Sequence, residues 1–600
     1  MGIRRHSLAS PHLWDRLSIT CAIATFAALG SVFLLYADKG LFVDEVYLLN
    51  SAWFAPYYLR HGLVLPSGNF AGVLLHPLFT CIDSLVTIRV LTAAITVFVH
   101  MLFATTLFRT FRTLSIADAS YVGFATTTRF CLGSMALPLL TYWNGPTPGY
   151  NLLNVLGALL CATGFLIALS DRNSLAKAWS VITVGLTACA VSKLPTAICI
   201  ALLLILVGLL CRARRHRLLT TMGAGVLAAT VTYGLLLILV FGSPSEIGRA
   251  FSRAADLSAL MPSYRFSGML IKLTWDAYRH LRWLLDPAAA ALGMMISLFT
   301  LWYEVRRSRA GVFQVIRAST GAGMLAVGAV DLYRACSTLE FAGWLSRLYV
   351  AWCVAAVGLI LQTSRHPRAH PSRDASLVVL LLYCLPAAIA VGSAANTTGM
   401  MSLGAVCWIG ATLLYGMSNG LGALLRATLT ISSCAVTLWA GVGQVFIGYP
   451  LSPLGELRPV HTRNGILHLD ARIAARGLDV LSSMYAAGYV AGTPIVDFLG
   501  EQGWSSAMSV IAGAPTAGFP SYYGDDRAVE FLLRTGDDKH LRSAWILLRR
   551  GDHGKVALLQ RCGLPFPCGY DLVSRQTEAH DAAETWRPSR STKEGCRGLR

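Results

Sequence analysis

Arg212-Ala213-Arg214-Arg215-His216-Arg217 leads into Leu219-Thr220-Thr221-Met222-Gly223-Ala224-Gly225-Val226-Leu227-Ala228-Ala229-Thr230-Val231-Thr232-Tyr233-Gly234-Leu235-Leu236-Leu237-Ile238-Leu239-Val240-Phe241-Gly242. The run from 219 to 242 carries no charge. A helix crossing the hydrocarbon core of a bilayer needs roughly 20 mostly apolar residues, and basic residues collect at its cytoplasmic end. This stretch supplies both. The same pattern recurs across the chain, which makes the protein a polytopic helical membrane protein and not a string of soluble domains.

Composition agrees. The 600 residues are 55% hydrophobic and 14% charged, against roughly 25% charged in soluble domains. Mean hydropathy is +0.56. The formal charge of +19 would raise nucleic acid as a partner in a soluble chain. The basic residues lie between apolar runs, however, so they read as an orientation signal and no nucleic-acid partner is expected. Fifteen scattered cysteines fit neither a disulfide scaffold nor a structural zinc site.

Thirteen apolar segments are expected to span: 18–37, 88–108, 119–139, 152–170, 176–192, 196–211, 219–242, 286–304, 317–334, 342–362, 376–395, 399–417 and 425–447. The fifth and sixth are short and separated only by Lys193-Leu194-Pro195. With a cytoplasmic N-terminus, an odd count puts Arg4, Arg5 and Arg16, then Arg109 and Arg112, Arg172 and Lys177, Arg212 to Arg217, Arg306 to Arg309, and Arg365 to Arg373 on one face. The first span lacks a small-residue cleavage site and is read as retained. Residues 1–449 thus form a membrane domain, with long extracytoplasmic loops at 38–87 and 243–285.

Residues 450–600 change character and read as a small extracytoplasmic α/β domain. Strands are expected at Gly492 to Phe498 and Ala544 to Leu548, with helices at 471–488 and 527–534. Cys562 and Cys568 are spaced to form a disulfide or to remain two thiols.

Chemistry is sought among charges that an apolar chain would not place without use. Asp44 and Glu45 sit just beyond the first span, in Gly40 to Asn50. Adjacent residues face different ways, so separate roles are expected; solvated acids at a helix start are the plainer reading. Tyr142, Trp143, Tyr150 and Asn151 lie between the third and fourth spans, where rings stack on sugars or join the aromatic belt. Lys193 is an ammonium between two apolar runs, suited to an anionic ligand or to snorkelling. Loop 243–285 holds Arg249, Arg253, Arg265, Lys272, Arg279 and Arg282 with Trp275, Tyr278 and Trp283, an amphipathic segment expected at the interface. Phosphate-loop, Rossmann and zinc-hydrolase motifs are absent. His76 and His100 read as structural.

The acidic pair after the first span, the many spans and the C-terminal domain resemble the GT-C glycosyltransferases, in particular the branch related to protein O-mannosyltransferases and lipid A aminoarabinose transferases. Leu75-His76-Pro77-Leu78 with Arg89, Thr147 to Asn151, Gly392 to Thr397 with Asn396, and Gly492 to Asp497 look like further segments of such proteins. The resemblance implies an inverting transfer of a sugar from a polyprenyl-phosphate carrier to a glycan, lipid or protein acceptor outside a bacterial inner membrane. Asp44 would be the base and Glu45 its orienting or acceptor-binding neighbour. Lys193, with Arg89 or an arginine such as Arg265, would hold the lipid phosphate. His76, Tyr142, Tyr150, Asn151 and Asn396 would line the substrate site. No metal ligands are expected, and metal dependence stays open. A transporter or flippase of lipid-linked substrates using Asp331 and Lys193, and a surface-glycan polymerase or ligase, are the competing readings.

Overall fold

The computed structural model describes residues 11–40, 43–66, 68–82, 84–114, 122–141, 147–171, 174–211, 214–261, 268, 271, 274–275, 278, 287–307, 311–337, 345–363, 372–393, 397–418, 423–446, 456–463, 465–499, 507–523, 525–535, 538–575 and 583–589. Among the described residues, eight helices are long and apolar enough to cross a membrane. They fall within α1 (Pro11–Tyr36), α6 (Leu85–Leu114), α9 (Tyr150–Ser170), α10 (Leu175–Leu210), α11 (Arg215–Phe241), α14 (Val312–Ser337), α16 (Arg373–Ala390) and α19 (Ala423–Phe446). Less apolar, shorter or broken helices occupy the remaining apolar segments: α7 (Val122–Ser134) with α8 (Ala136–Thr141), α13 (Pro287–Arg307), α15 (Leu345–Thr363), and α17 (Thr397–Ser402) with α18 (Ala405–Ser418). The short elements α2 (Val43–Trp53), α3 (Ala55–Arg60), α4 (Phe70–Leu74) and α5 (His76–Cys81) fill the first long loop.

The opening stretch shows how the sequence uses its apolar residues. On α11, Met222, Ala229, Tyr233 and Leu237 face the bundle. Leu227, Val231, Leu235 and Leu239 recur every four residues on the other side and are 54–77% exposed. Such a stripe would be untenable in water and is at home in lipid.

Lys193 reverses α10. Its backbone is extended (φ −151°, ψ 92°), and Pro195 follows. Gly225 of α11 abuts Ile182 and Trp179 of the first arm, while Gly208 of the second arm abuts Met222 and Leu218 of α11. Residues 222 and 225 are one turn apart, so residues 182 and 208 lie at nearly the same level. In a straight helix they would be separated by about 39 Å. The fifth and sixth apolar segments are therefore the two arms of a helical hairpin, with Lys193 at its tip.

The first arm crosses α9 at backbone contact distance. A Cβ on Gly157 would lie 2.6 Å from the Gly185 carbonyl oxygen, and one on Gly185 would lie 2.6 Å from that of Gly157. Cys161 and Cys189 pack against the opposing glycines. Small residues let the two backbones approach where lipid offers no hydrophobic drive.

The tail has two sheets. Strands β1 (Leu457–Thr462) and β2 (Gly465–Asp470) form an antiparallel hairpin. A four-stranded sheet runs in the order β3 (Ile495–Asp497), β4 (Trp545–Arg549), β6 (Ala583–Pro588), β5 (Tyr570–Arg575), with β3 parallel to β4 and the other pairs antiparallel. The expected helices appear as α20 (Ala471–Ala486) and α23 (Asp526–Thr535), with short helices α21 (Met508–Ile511) and α22 (Pro520–Tyr523) between them and α24 (Asp538–Arg542) and α25 (His553–Arg561) after. Asp470 caps α20 by accepting from the Arg472 and Ile473 amides. Cys562 and Cys568 are both thiols.

The tail is not hung from a clean linker. Val460, Leu467, Leu469, Val510, Ile511 and Phe519 join the same buried cluster as the membrane helices. In loop 243–285, helix α12 (Pro244–Leu260) lies against the tail. Leu257 packs with Leu65, Ala528 and Leu532, and Arg253 donates to the Gly62 carbonyl (2.6 Å). Trp275 and Tyr278 of that loop are half-exposed and stack on each other.

The α9–α10 crossing gives a direct test. Gly157→Ala should destabilise the protein by about 1–3 kcal/mol, read as a lowered thermal midpoint in detergent. Gly234→Ala, where a Cβ meets nothing within 4 Å, should be neutral or slightly stabilising. Equal behaviour of the two would contradict the crossing.

Candidate functional site

The acidic pair divides its labour. Glu45 is fully buried in an ion pair with Arg89 of α6. Arg89 Nε donates to Glu45 Oε1 (3.0 Å) and Nη2 to Oε2 (2.8 Å). The same guanidinium donates to the carbonyls of Ala37 (2.8 Å), Lys39 (3.2 Å) and Gly40 (2.8 Å). A guanidinium has five N–H donors, and all five are used. The expected phosphate contact by Arg89 is thereby corrected, because its donors are spent on the turn between α1 and α2. Glu45 is likewise not available to an acceptor; through Arg89 it fixes where α2 begins.

The tail seals this turn. Gly40 N–H donates to the His468 carbonyl (2.9 Å), His468 N–H donates to the Asp38 carbonyl (2.9 Å), and His468 Nδ1 lies 2.9 Å from Asp38 Oδ2. Further along α2, Asn50 Nδ2 donates to the Ala514 carbonyl (2.7 Å), and Thr516 N–H donates back to Asn50 Oδ1 (3.1 Å). Tyr58 hydrogen-bonds to Asn50 and to Thr516. Asn50, Tyr58, Ala514 and Thr516 are all buried, so each bond among them is worth more than its surface counterpart and each broken one leaves a desolvated group.

With α2 fixed, position 44 lies one turn before Tyr47 and shares its side of the helix. The Asp44 side chain is outside the described residues. The Tyr47 ring stacks on Tyr522 of the tail (centroids 4.1 Å, 10°) and meets Phe519 edge-on (4.6 Å). Its hydroxyl is 3.4 Å from that of Tyr523. Burial raises both the Tyr47 and Tyr523 phenols above their ordinary pKa, so both stay neutral. Tyr522 donates to the hydroxyl of Tyr150 (3.1 Å), which opens α9.

Lys193 completes the group. Its side chain is 6% exposed, its Nζ lies 5.2 Å from the Tyr150 ring centroid, and it donates to Ser393 Oγ (2.5 Å). The hairpin tip is pinned to the turn after α16: Thr196 donates to the Val391 carbonyl (2.7 Å), and Gly392 packs on Pro195. Elements distant in sequence thus meet at one end of the bundle, around a buried ammonium and four tyrosines.

The other expected residues divide. His76 Nδ1 bonds the Ala52 carbonyl (2.6 Å), a structural tie. Asn151 is buried next to Tyr150. Tyr142, Arg265 and Asn396 lie outside the described residues. Asp497 is buried at the end of β3; burial pushes its pKa up to about 7, against an amide donor from Leu499 and the charge of Arg476. Among the described residues, no group of three or more His, Cys, Asp or Glu side chains is placed to hold a metal. Sequence reasoning missed Tyr47, Ser393, Tyr522 and Tyr523. Tyr47 was legible as the residue one turn after Asp44, and Ser393 sat inside a segment already singled out. Nothing in the tail sequence marked Tyr522 or Tyr523.

No family model, curated protein or solved structure matches the chain. Fold and composition define it as a multi-pass helical membrane protein with a small C-terminal sheet domain.

The Arg89–Glu45 pair is open to a double-mutant cycle. Arg89→Met and Glu45→Met should each cost about 3–5 kcal/mol, since each leaves a buried charge unpaired, and the double substitution should cost far less than their sum. Thermal unfolding in detergent reads all three. Additive losses would mean the pair does not couple.

Proposed function

We propose that the protein is an integral-membrane glycosyltransferase of GT-C type, moving a sugar from a polyprenyl-phosphate carrier to an acceptor on the extracytoplasmic face. The observation that carries this reading is Lys193: a buried ammonium at a helix reversal, beside tyrosine rings and on the tail-bearing end of the bundle. An ammonium there suits a phosphate that arrives on a lipid and leaves with extra charge.

The arginine ladder supports the orientation. Arg109 and Arg112 end α6, about 30–35 Å from Arg89 at 1.5 Å per residue. Arg214, Arg215 and Arg217 follow the second arm of α10, and Cys211 at its end lies in the electrostatic reach of Arg373. These groups lie at the end opposite the tail, as a cytoplasmic face requires. Counting both arms of α10 and the broken pairs α7–α8 and α17–α18 as crossings gives thirteen spans, with the N-terminus inside and the tail outside.

In the proposed reaction an acceptor hydroxyl attacks the anomeric carbon as the bond from that carbon to the phosphate oxygen breaks. The electron pair of the broken bond stays on the phosphate, where Lys193 neutralises it. Asp44 takes the acceptor proton, and the anomeric centre inverts. Arg89 and Glu45 act one step back by holding the start of α2. The tyrosines supply faces for sugar stacking. The acceptor is a glycan, lipid or protein. Against a transport path through both charges, Asp331 lies on α14, which packs with α13 and α15, whereas Lys193 lies on α10, beside α9 and α16; this supports the transferase reading.

The test is transfer of label from a polyprenyl-phosphate sugar into a membrane extract by purified protein. Asp44→Asn should lower transfer by at least about 100-fold while leaving membrane insertion and thermal midpoint unchanged. Full transfer by the substituted protein would remove Asp44 as the base.

A further inference from the structure

We infer that Tyr522, contributed by the tail, gates the Lys193 site, so that a ligand reaches the ammonium only when the 519–523 segment swings away from α2 and α9. This rests on reading Lys193 as the anion site. The Lys193 side chain is almost fully buried, with the Tyr150 ring over its ammonium. Tyr150 is in turn held by the Tyr522 hydroxyl, and the Tyr522 ring is stacked on Tyr47. The structure is therefore a closed state: the ring that shields the cation is latched by a residue of another domain.

The segment is built to move as a unit. Gly518 (φ 71°) and Phe519 (φ 45°) are consecutive left-handed residues directly before α22, and Phe519 is the one non-glycine residue with positive φ among those described. A side chain there strains the backbone, and the strain persists because the Phe519 ring is pinned between Tyr47 and Tyr58. Releasing the stack relieves the strain, so the closed and open arrangements are brought closer in energy than burial alone would set them. At Tyr522 the latch is one stacked pair and one hydrogen bond; opening the segment also parts Phe519 from Tyr47 and Tyr58 and the Tyr523 hydroxyl from that of Tyr47, contacts that binding of a phosphate must offset. Asn50 and Tyr58 keep residues 514–516 docked on α2 throughout, which places the hinge at Gly518–Phe519.

The test is the rate at which an amine-reactive reagent modifies Lys193, mapped by mass spectrometry on the full chain in lipid nanodiscs, with exposed Lys177 as internal reference. Tyr522→Ala should raise the Lys193 rate by about tenfold relative to Lys177. Tyr522→Phe, which keeps the ring and loses the hydroxyl, should give a smaller rise. An unchanged Lys193 rate in both variants, with thermal midpoints retained, would overturn the gate. Adding a polyprenyl phosphate or inorganic phosphate to Tyr522→Ala separates the two claims. Protection by the lipid alone supports a gate on a carrier-lipid site, and protection by both supports a gate on a site for free phosphate. A raised rate that neither ligand suppresses supports the gate and sinks the anion reading of Lys193.

Discussion

The arrangement depends on one buried guanidinium. Arg89 enters from α6 and spends five donors on Glu45 and on three carbonyls of the turn that follows α1. That turn leaves the first membrane helix and would otherwise carry orphaned carbonyls into a low-dielectric setting, at a cost of about 1–3 kcal/mol each. Satisfying them and the Glu45 carboxylate together fixes the exit of α1 and the start of α2. The same turn then offers backbone groups to β2 of the tail, so the membrane domain and the tail are joined through structure that one arginine holds in place.

From that anchor the candidate site follows geometrically. Fixing α2 sets the direction of the side carrying positions 44 and 47, and Tyr47 reaches the tail through Tyr522. Tyr522 reaches α9 through Tyr150, and Tyr150 shields the Lys193 ammonium at the α10 reversal. The reversal itself exists because an extended Lys193 and the following Pro195 interrupt a run that would otherwise continue as helix. In the proposed chemistry, the residues that carry charge for the reaction and the residues that carry it for the fold are neighbours with separate partners. Asp44 is the base in that proposal, and Glu45 is committed to an arginine.

Much of the fold was legible in the sequence because lipid imposes simple rules. Apolar length and arginine placement located the helices, including the short fifth and sixth segments that the structure makes two arms of one hairpin. In the tail, the runs at 492–498 and 544–548 marked the positions of β3 and β4, though not their parallel pairing. The hairpin β1–β2 was not legible: Arg458, Pro459, His461 and His468 dilute its alternation, and its pairing with residues 38–40 is a long-range contact that no local pattern encodes. For the site, Lys193 and Tyr150 stood out, and so did Ser393 within its segment. The jobs of Arg89 and Glu45 did not, because a buried arginine looks the same in sequence whether it awaits a phosphate or holds a turn. Tyr522 and Tyr523 were invisible for a related reason. Tyrosines in a soluble domain are unremarked until the fold presses them against a membrane helix.

The central claim is that a phosphate-bearing lipid binds at the tail-side end of the bundle. An experimental structure of the protein in nanodiscs with a polyprenyl phosphate tests it most directly. The account predicts the phosphate within hydrogen-bond reach of Lys193 Nζ, at about 2.7–3.2 Å, with Tyr522 displaced from Tyr150. A phosphate seated instead among Arg214, Arg215 and Arg217 at the far end, with the Lys193 cover undisturbed, would contradict it.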